Sequence, residues 1–264
     1  DLGNQTVSKG DYASAHLFLQ EAWRLAVSTD DPETRIRVLL AKGNALFNEG
    51  KRTEADDIWS MALAEAEAAN LKVLISTSRI YRARGMLPEG LPADALSPDE
   101  RAGKAREAKE IALAEIANVR SNGLYTAFAY KVLGLADKEL GNAADAEVAL
   151  RKAAAIHENG RYLEDTAYDW YLIASVRSRS GDYPGAAAAL QTALEFDRRA
   201  ENANGLGMNW MALGTVELKA GNAKGAETAW SRAEEIFRSA FLTRNAEEAA
   251  RKRAELAAKE PDRK

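Results

Sequence analysis

Gly141, Gly181 and Gly221 stand 40 residues apart, and each is followed by the same arrangement of small and large residues. Five positions on come Ala146, Ala186 and Ala226; nine on, Leu150, Leu190 and Trp230; twelve on, Ala153, Ala193 and Ala233. Earlier in the chain, Gly50 is followed at the same offsets by Ala55, Trp59 and Ala62, and Gly10 by Ala15, Leu19 and Ala22. Seven residues before the glycines stand Gly3, Gly43, Gly134, Ala174 and Gly214, and eleven before stand Leu39, Tyr130, Trp170 and Trp210. A fixed period of this length, carrying the same volumes at the same offsets, predicts a solenoid of repeated supersecondary units.

Each unit reads as two helices. Offsets −11, −8, −7 and −4 from the glycine keep helical spacing and give the first helix, helix A, an apolar stripe. The glycine ends helix A in the left-handed conformation that it adopts at no steric cost. Asp182, Asn142, Asn222 or Thr53 then caps helix B. The alanines at +5 and +12 let the two helices approach, and the large residue at +9 fills the space between them. One hairpin cannot bury both faces, so neighbours must stack.

The segment Trp210-Met211-Ala212-Leu213-Gly214, followed by Gly221, Ala226, Trp230 and Ala233, resembles the tetratricopeptide repeat (TPR) family. The resemblance extends over about five and a half repeats. It implies an all-α, right-handed superhelical solenoid of stacked antiparallel helix pairs: about six repeats, the first truncated, and a C-terminal capping helix. Two features depart from the family pattern. The period is 40 rather than 34 residues, as in a long-period variety, and the proline that ends helix B in the family is absent.

On this reading residues 1–264 form a single solenoid. Residues 1–24 are a partial repeat, 33–69 repeat two, and 70–119 repeat three with an inserted loop at 86–97. Residues 122–158, 163–198 and 203–237 are repeats four to six, and 239–260 the capping helix. The insertion is rich in proline and glycine and reads as exposed. It ends at Ser97-Pro98-Asp99-Glu100, a capping box with proline at the first helical position.

The net charge of −4 disfavours nucleic acid as the main partner. No cysteine is present, which removes disulfides, thiol catalysis and cysteine-ligated metals. No apolar run is long enough to span a membrane. The chain opens at Asp1, inside what reads as a helix A. A removed export signal would place it in a bacterial envelope, periplasmic or lipid-anchored; a cytoplasmic location stays equally open.

Chemistry is sparse. His16 lies on a helix B, and His157 in a last helical turn, where it complements the helix dipole; neither has metal-ligand spacing to another ligand. Gly205-Leu206-Gly207 reads as a turn between repeats, not a phosphate loop. Asn4-Gln5-Thr6 matches a glycosylation acceptor on a predicted helix. The expectation is therefore no catalytic residue, no metal and no cofactor.

The TPR resemblance implies a partner groove lined by helix A at offsets −13, −10, −6 and −3. The candidate groove residues are Arg37, Asn44, Lys72, Arg79, Arg82, Phe128, Lys131, Lys138, Tyr168, Tyr171, Met208 and Met211. Six of the lining residues are basic and none acidic, with aromatic and methionine residues in the later repeats. Such a face suits a protein or peptide segment with acidic groups or a terminal carboxylate. A self-assembly module of a larger envelope complex is the second reading, and a small-ligand or enzyme site within the superhelix a remote third.

Overall fold

The alanines, glycines and left-handed turn residues that recur every 40 positions appear as paired helices. The structure, a computed structural model, describes residues 12–88, 91–92, 95–118 and 123–259. Twelve helices and no strand occur among them. They are α1 (Tyr12–Ser28), α2 (Pro32–Asn48), α3 (Arg52–Ala68), α4 (Lys72–Met86), α5 (Pro98–Asn118), α6 (Gly123–Glu139), α7 (Ala143–Asn159), α8 (Leu163–Arg179), α9 (Tyr183–Arg199), α10 (Ala203–Lys219), α11 (Ala223–Ser239) and α12 (Thr243–Lys259). The predicted first helix A, with Gly3 and Asn4-Gln5-Thr6, falls outside the described residues, as do residues 89–90 and 93–94 of the insertion. The chain divides into two compact units, Asp1–Asn142 and Ala143–Lys264. Within each, helices joined by short connections pack on their chain neighbours as antiparallel pairs.

Turns of both kinds are left-handed. Gly50, Gly141, Gly181 and Gly221 have φ between 82° and 91° and close the helix A to helix B turns. The helix B to helix A turns are closed by Asp30, Asn70, Arg161, Glu201 and Phe241, all with φ between 51° and 59°. Asp and Asn tolerate this region; Arg, Glu and Phe are strained in it. Phe241 is also 92% exposed, so no packing offsets its strain. Phe241→Gly is expected to raise stability by about 0.5–1 kcal/mol, the relief of strain less the added freedom of the unfolded chain. A urea midpoint unchanged or lowered in that variant would contradict this.

Gly85 is helical, inside α4, and a methyl added to it would lie 2.9 Å from the Trp59 ring. Its glycine identity serves close packing rather than a turn. The insertion is less exposed at its start than expected. Leu87 and Pro88 are buried, and an Arg52 guanidinium nitrogen donates to the carbonyls of Gly85 and Leu87 at 3.1 and 2.8 Å. The far end of the insertion closes with reciprocal hydrogen bonds, Ser97 N–H to Glu100 Oε2 at 2.8 Å and Glu100 N–H to Ser97 Oγ at 3.3 Å.

Two aromatic cores follow from the small-versus-large pattern. In the first unit Trp59 is fully buried among Ile36, Leu39, Phe47, Ala62 and Leu74. A methyl on Gly43 would stand 2.2 Å from Trp59 Nε1. In the second unit Gly214 bears the same relation to Trp230, at 2.4 Å. Both indoles donate across the hairpin to a helix A carbonyl, Trp59 to Leu40 O at 3.4 Å and Trp230 to Met211 O at 3.1 Å. Gly at −7 is thus the recess that admits Trp at +9.

Gly205 and Gly207 do not form a turn; both lie within α10. A methyl on Gly207 would meet the Phe237 ring at 2.3 Å, and one on Gly205 the Asp197 carboxylate at 2.4 Å. Thr53 is likewise inside α3 rather than its cap. Asp182 and Asn222 do cap, accepting from Gly185 N–H at 2.9 Å and Gly225 N–H at 3.0 Å.

Candidate functional site

The helix A positions fall in both units. In the first unit α2, α4 and α6 are the helices A, and α4 contacts both others. Arg37, Asn44, Lys72, Arg79, Arg82, Phe128, Lys131 and Lys138 come from these three helices. Arg37 and Lys72 are exposed, and Asn44, Arg82, Phe128 and Lys138 half-buried. Lys131 is buried, as are Leu40, Phe47 and Leu135 from the same set of offsets. The face is therefore partly core.

Its charge is also less one-sided than the chosen helix A offsets imply, because the helices B, and one other position of α2, supply acids. Arg79 pairs with Glu67 at 3.1 Å and with the buried Glu115 at 3.3 Å. Arg82 makes two hydrogen bonds to Asp56, at 2.8 and 3.3 Å, and these bonds hold its guanidinium pKa above the usual value. Arg37 pairs with Glu33 at 2.7 Å. Its other nitrogen donates to Tyr125 Oη at 2.9 Å, which ties α2 to α6 across 88 residues of sequence. Asp56, Glu67 and Glu115 lie on helices B that a long guanidinium on a neighbouring helix A reaches, while Glu33 lies on α2 itself, outside the chosen offsets. The Phe128 ring lies tilted against Tyr81 with centroids 4.7 Å apart, and Tyr81 tilted against Trp59 at 5.5 Å, so an aromatic row connects this face to the core.

In the second unit α8 and α10 are adjacent helices A. Tyr168 and Tyr171 on α8 are half-buried and stacked, with ring centroids 5.9 Å apart and planes 11° from parallel. On α10, Met211 is half-buried, while Met208 and Leu218 are 43% and 41% exposed. This face combines flat aromatic surface with flexible thioether and aliphatic side chains, a composition suited to apolar side chains of varied shape.

The −4 offset corrects the predicted stripe. It is apolar in Leu46 and Tyr81 but charged in Asp137, Arg177 and Glu217. Two of these charges bind neighbouring helices. Lys109 on α5 donates to Asp137 Oδ1 at 2.6 Å. Arg177 on α8 holds Glu147 on α7 at 2.6 and 3.0 Å and donates to the Gly185 carbonyl on α9 at 3.1 Å. The Arg177 hydrogen bonds keep the Glu147 carboxyl below the usual carboxylate range.

Both histidines have carboxylate partners that their spacing did not reveal. His16 Nε2 lies 2.9 Å from Glu49 Oε2 at the surface. His157 Nδ1 lies 2.6 Å from Asp169 Oδ2, with both side chains buried. One repeat later the equivalent pair is Asp197 and Asn209, with Asn209 Nδ2 donating to Asp197 Oδ2 at 2.7 Å. Asn202 Nδ2 donates to the other oxygen at 2.8 Å. Burial pushes the Asp197 carboxyl up to about 7, with the nearby Glu164 adding to the shift and the two amides opposing it. Each pair joins a helix B to the next helix A. Among the described residues no group of three or more His, Asp or Glu side chains could hold a metal ion, and no helix is long and apolar enough to cross a membrane.

No family model and no curated protein matches the sequence. Solved structures do resemble the fold. BtubC (BKLC) from P. vanneervenii aligns with a TM-score of 0.58 at 20% identity, covering 89% of this chain and 92% of that one. The apo form of RapI aligns with a TM-score of 0.62 at 13% identity, covering 98% of this chain and 70% of that one. A looser overlay, with a TM-score of 0.40 at 14% identity, is to the TPR2AB domain of yeast Sti1 in its pHSP90 complex, over 97% of this chain and 95% of that one. At these identities the likeness to the first two is one of fold: stacked helix pairs.

Proposed function

We propose that this chain is a non-catalytic scaffold of the long-period TPR variety that holds a protein or peptide segment on its helix A faces. The observation that carries the reading is the second unit's α8–α10 face. It exposes Met208 and Leu218 on one helix and presents the Tyr168–Tyr171 stack on the adjacent one. Contiguous apolar surface of this kind, spread over two adjacent helices, marks contact sites, whereas single exposed side chains do not. In the first unit the partner class is an acidic or carboxylate-ended segment, drawn by Arg37, Lys72 and Arg79. Such a segment must displace Glu67, itself half-exposed, from Arg79. Binding there is correspondingly weakened by salt.

The test is selection from a displayed library of random peptides with free C-termini, followed by fluorescence anisotropy on the selected sequences. Tyr171→Ala with Met208→Ala is expected to weaken binding of apolar-anchored peptides at least about tenfold, a loss of ~1.4 kcal/mol. Lys72→Glu is expected to weaken only the carboxylate-dependent ones, and at low salt more than at high salt. Selected peptides that bind all these variants as well as the parent would remove the helix A faces from consideration. A self-assembly module of a bacterial envelope complex, periplasmic or lipid-anchored, is the second reading, favoured by the exposed apolar side chains of α1.

A further inference from the structure

Helix α1 is a helix B whose outer face is unlike the others. At offset +8 from the repeat glycine, α7, α9 and α11 carry buried Ala149, Ala189 and Ala229 and α3 the half-buried Ile58; at +15 α9 carries the buried Phe196 and α7 and α11 the half-buried Ile156 and Ile236. These are packing positions. On α1 they hold Phe18 and Leu25, and both are open. With Leu17 and Val27 they make four large apolar side chains between 42% and 68% exposed on one 17-residue helix. Between them lies a charge pair. Arg24 donates to both oxygens of Glu21, at 2.6 and 2.9 Å, with both residues exposed. A shallow open groove follows this helix, lined by Leu17, Gln20, Glu21, Trp23, Arg24 and Val27.

The pattern is complementary to itself in one direction only. Glu21 and Arg24 stand on either side of the helix midpoint, and Phe18 and Leu25, seven apart, share one flank. Two copies of α1 laid antiparallel about a two-fold axis between residues 22 and 23 bring Glu21 of each onto Arg24 of the other. The same operation sets Phe18 of one copy level with Val27 of the second and within one helical turn of its Leu25. A parallel arrangement sets Glu21 against Glu21 and Arg24 against Arg24, which repel. An isologous contact needs one surface that complements its own image.

We infer that the outer face of α1 is a homodimer contact, and that its occupant is α1 of a second copy of this chain, antiparallel. The contact gives the self-assembly reading a defined surface. It lies on a helix B, away from the helix A residues, so its failure leaves the peptide-binding reading intact. One helix face is small for an interface, so the dimer is a reversible one that forms at micromolar concentrations.

The experiment is sedimentation velocity on the full chain from low to high micromolar concentration, with circular dichroism on every variant. The parent is expected to show a concentration-dependent shift from monomer to dimer. Glu21→Arg and Arg24→Glu are each expected to weaken self-association at least about tenfold, since each sets like charges against each other across the axis. An equimolar mixture of these two variants is expected to recover association as a heterodimer, in which the two arginines on one copy's helix meet the two glutamates on the other's. Phe18→Asp is expected to abolish association with helicity unchanged. The inference is overturned if the parent stays monomeric throughout. It is equally overturned if either single charge variant associates like the parent, or if the mixture fails to associate. A monomeric parent whose melting temperature falls with Phe18→Asp assigns the face to another segment of the same chain.

Discussion

Trp59→Ala is expected to destabilise the first unit by about 3–5 kcal/mol, the cost of emptying a large buried aromatic site. Trp59 is fully buried and touches the cores of three helices, so the surrounding side chains cannot collapse into its place. Gly43→Ala acts on the same contact from the other side. A methyl 2.2 Å from the indole nitrogen must push the ring out, at about 1–3 kcal/mol. The two positions are coupled, and the chain already contains the relaxed combination: in the second unit, Ala174 stands at −7 and Leu190 at +9, both buried. Gly43→Ala with Trp59→Leu is therefore expected to cost less than the sum of its single variants. Urea unfolding followed by circular dichroism tests this. Additive losses would show that the glycine and the tryptophan are not a matched pair.

Asp197→Asn is expected to stabilise the protein at neutral and alkaline pH. The carboxyl titrates at about 7 in the folded chain and near its ordinary value, 3.8, when unfolded. Between those values the folded state holds a proton that the unfolded state has released, so stability falls as pH rises from about 4 to about 7. Above 7 both states are ionised and the cost is constant, of the order of 4 kcal/mol at ~1.4 kcal/mol per pH unit. Removing the charge removes that cost. The new amide nitrogen replaces one of the two oxygens that accept from Asn202 and Asn209, so one of those amides must turn to accept from it; Asn209 Oδ1, buried and without a hydrogen-bond partner among the described residues, is the acceptor at hand. The stability difference between variant and parent should be largest at pH 8 and should shrink towards pH 4. Because other titrating groups cancel in that difference, parallel pH profiles would sink the assignment.

What was legible in the sequence were contacts that recur with the same identity. Glycine with tryptophan, alanine at +5 and +12, and the Ser97–Glu100 capping box all repeat or follow a fixed chemical rule, so spacing exposed them. What was not legible were contacts kept in place but not in residue. The helix B to helix A clasp is His157 with Asp169, then Asp197 with Asn209, then Phe237 with Ala249, and the corresponding positions in the first unit hold Ala66 and Ser78, all buried. No shared letter marks these positions; only the fit of one member to the other is kept. The left-handed turns show the same contrast. Glycine announces one set, while Arg161, Glu201 and Phe241 carry no signal of their backbone conformation. The candidate groove was legible as a set of helix A offsets. Its charge balance was not, because Asp56, Glu67 and Glu115 come from the neighbouring helices B, α3 and α5.

The clasps also bear on how such an array can change its length. Cutting after Arg161 and after Glu201 removes a cassette of one full period, and the new junction still begins its helix after a left-handed residue. By backbone alone the cassette is interchangeable. By side chain it is not, since its loss sets imidazole against the Asn209 amide in place of the Asp169 carboxylate. Each clasp therefore acts as an address that tells a hairpin which neighbour follows it. An array gains or loses a module only if a compatible address comes with it, and the order of the hairpins is written into the interior rather than into the turns.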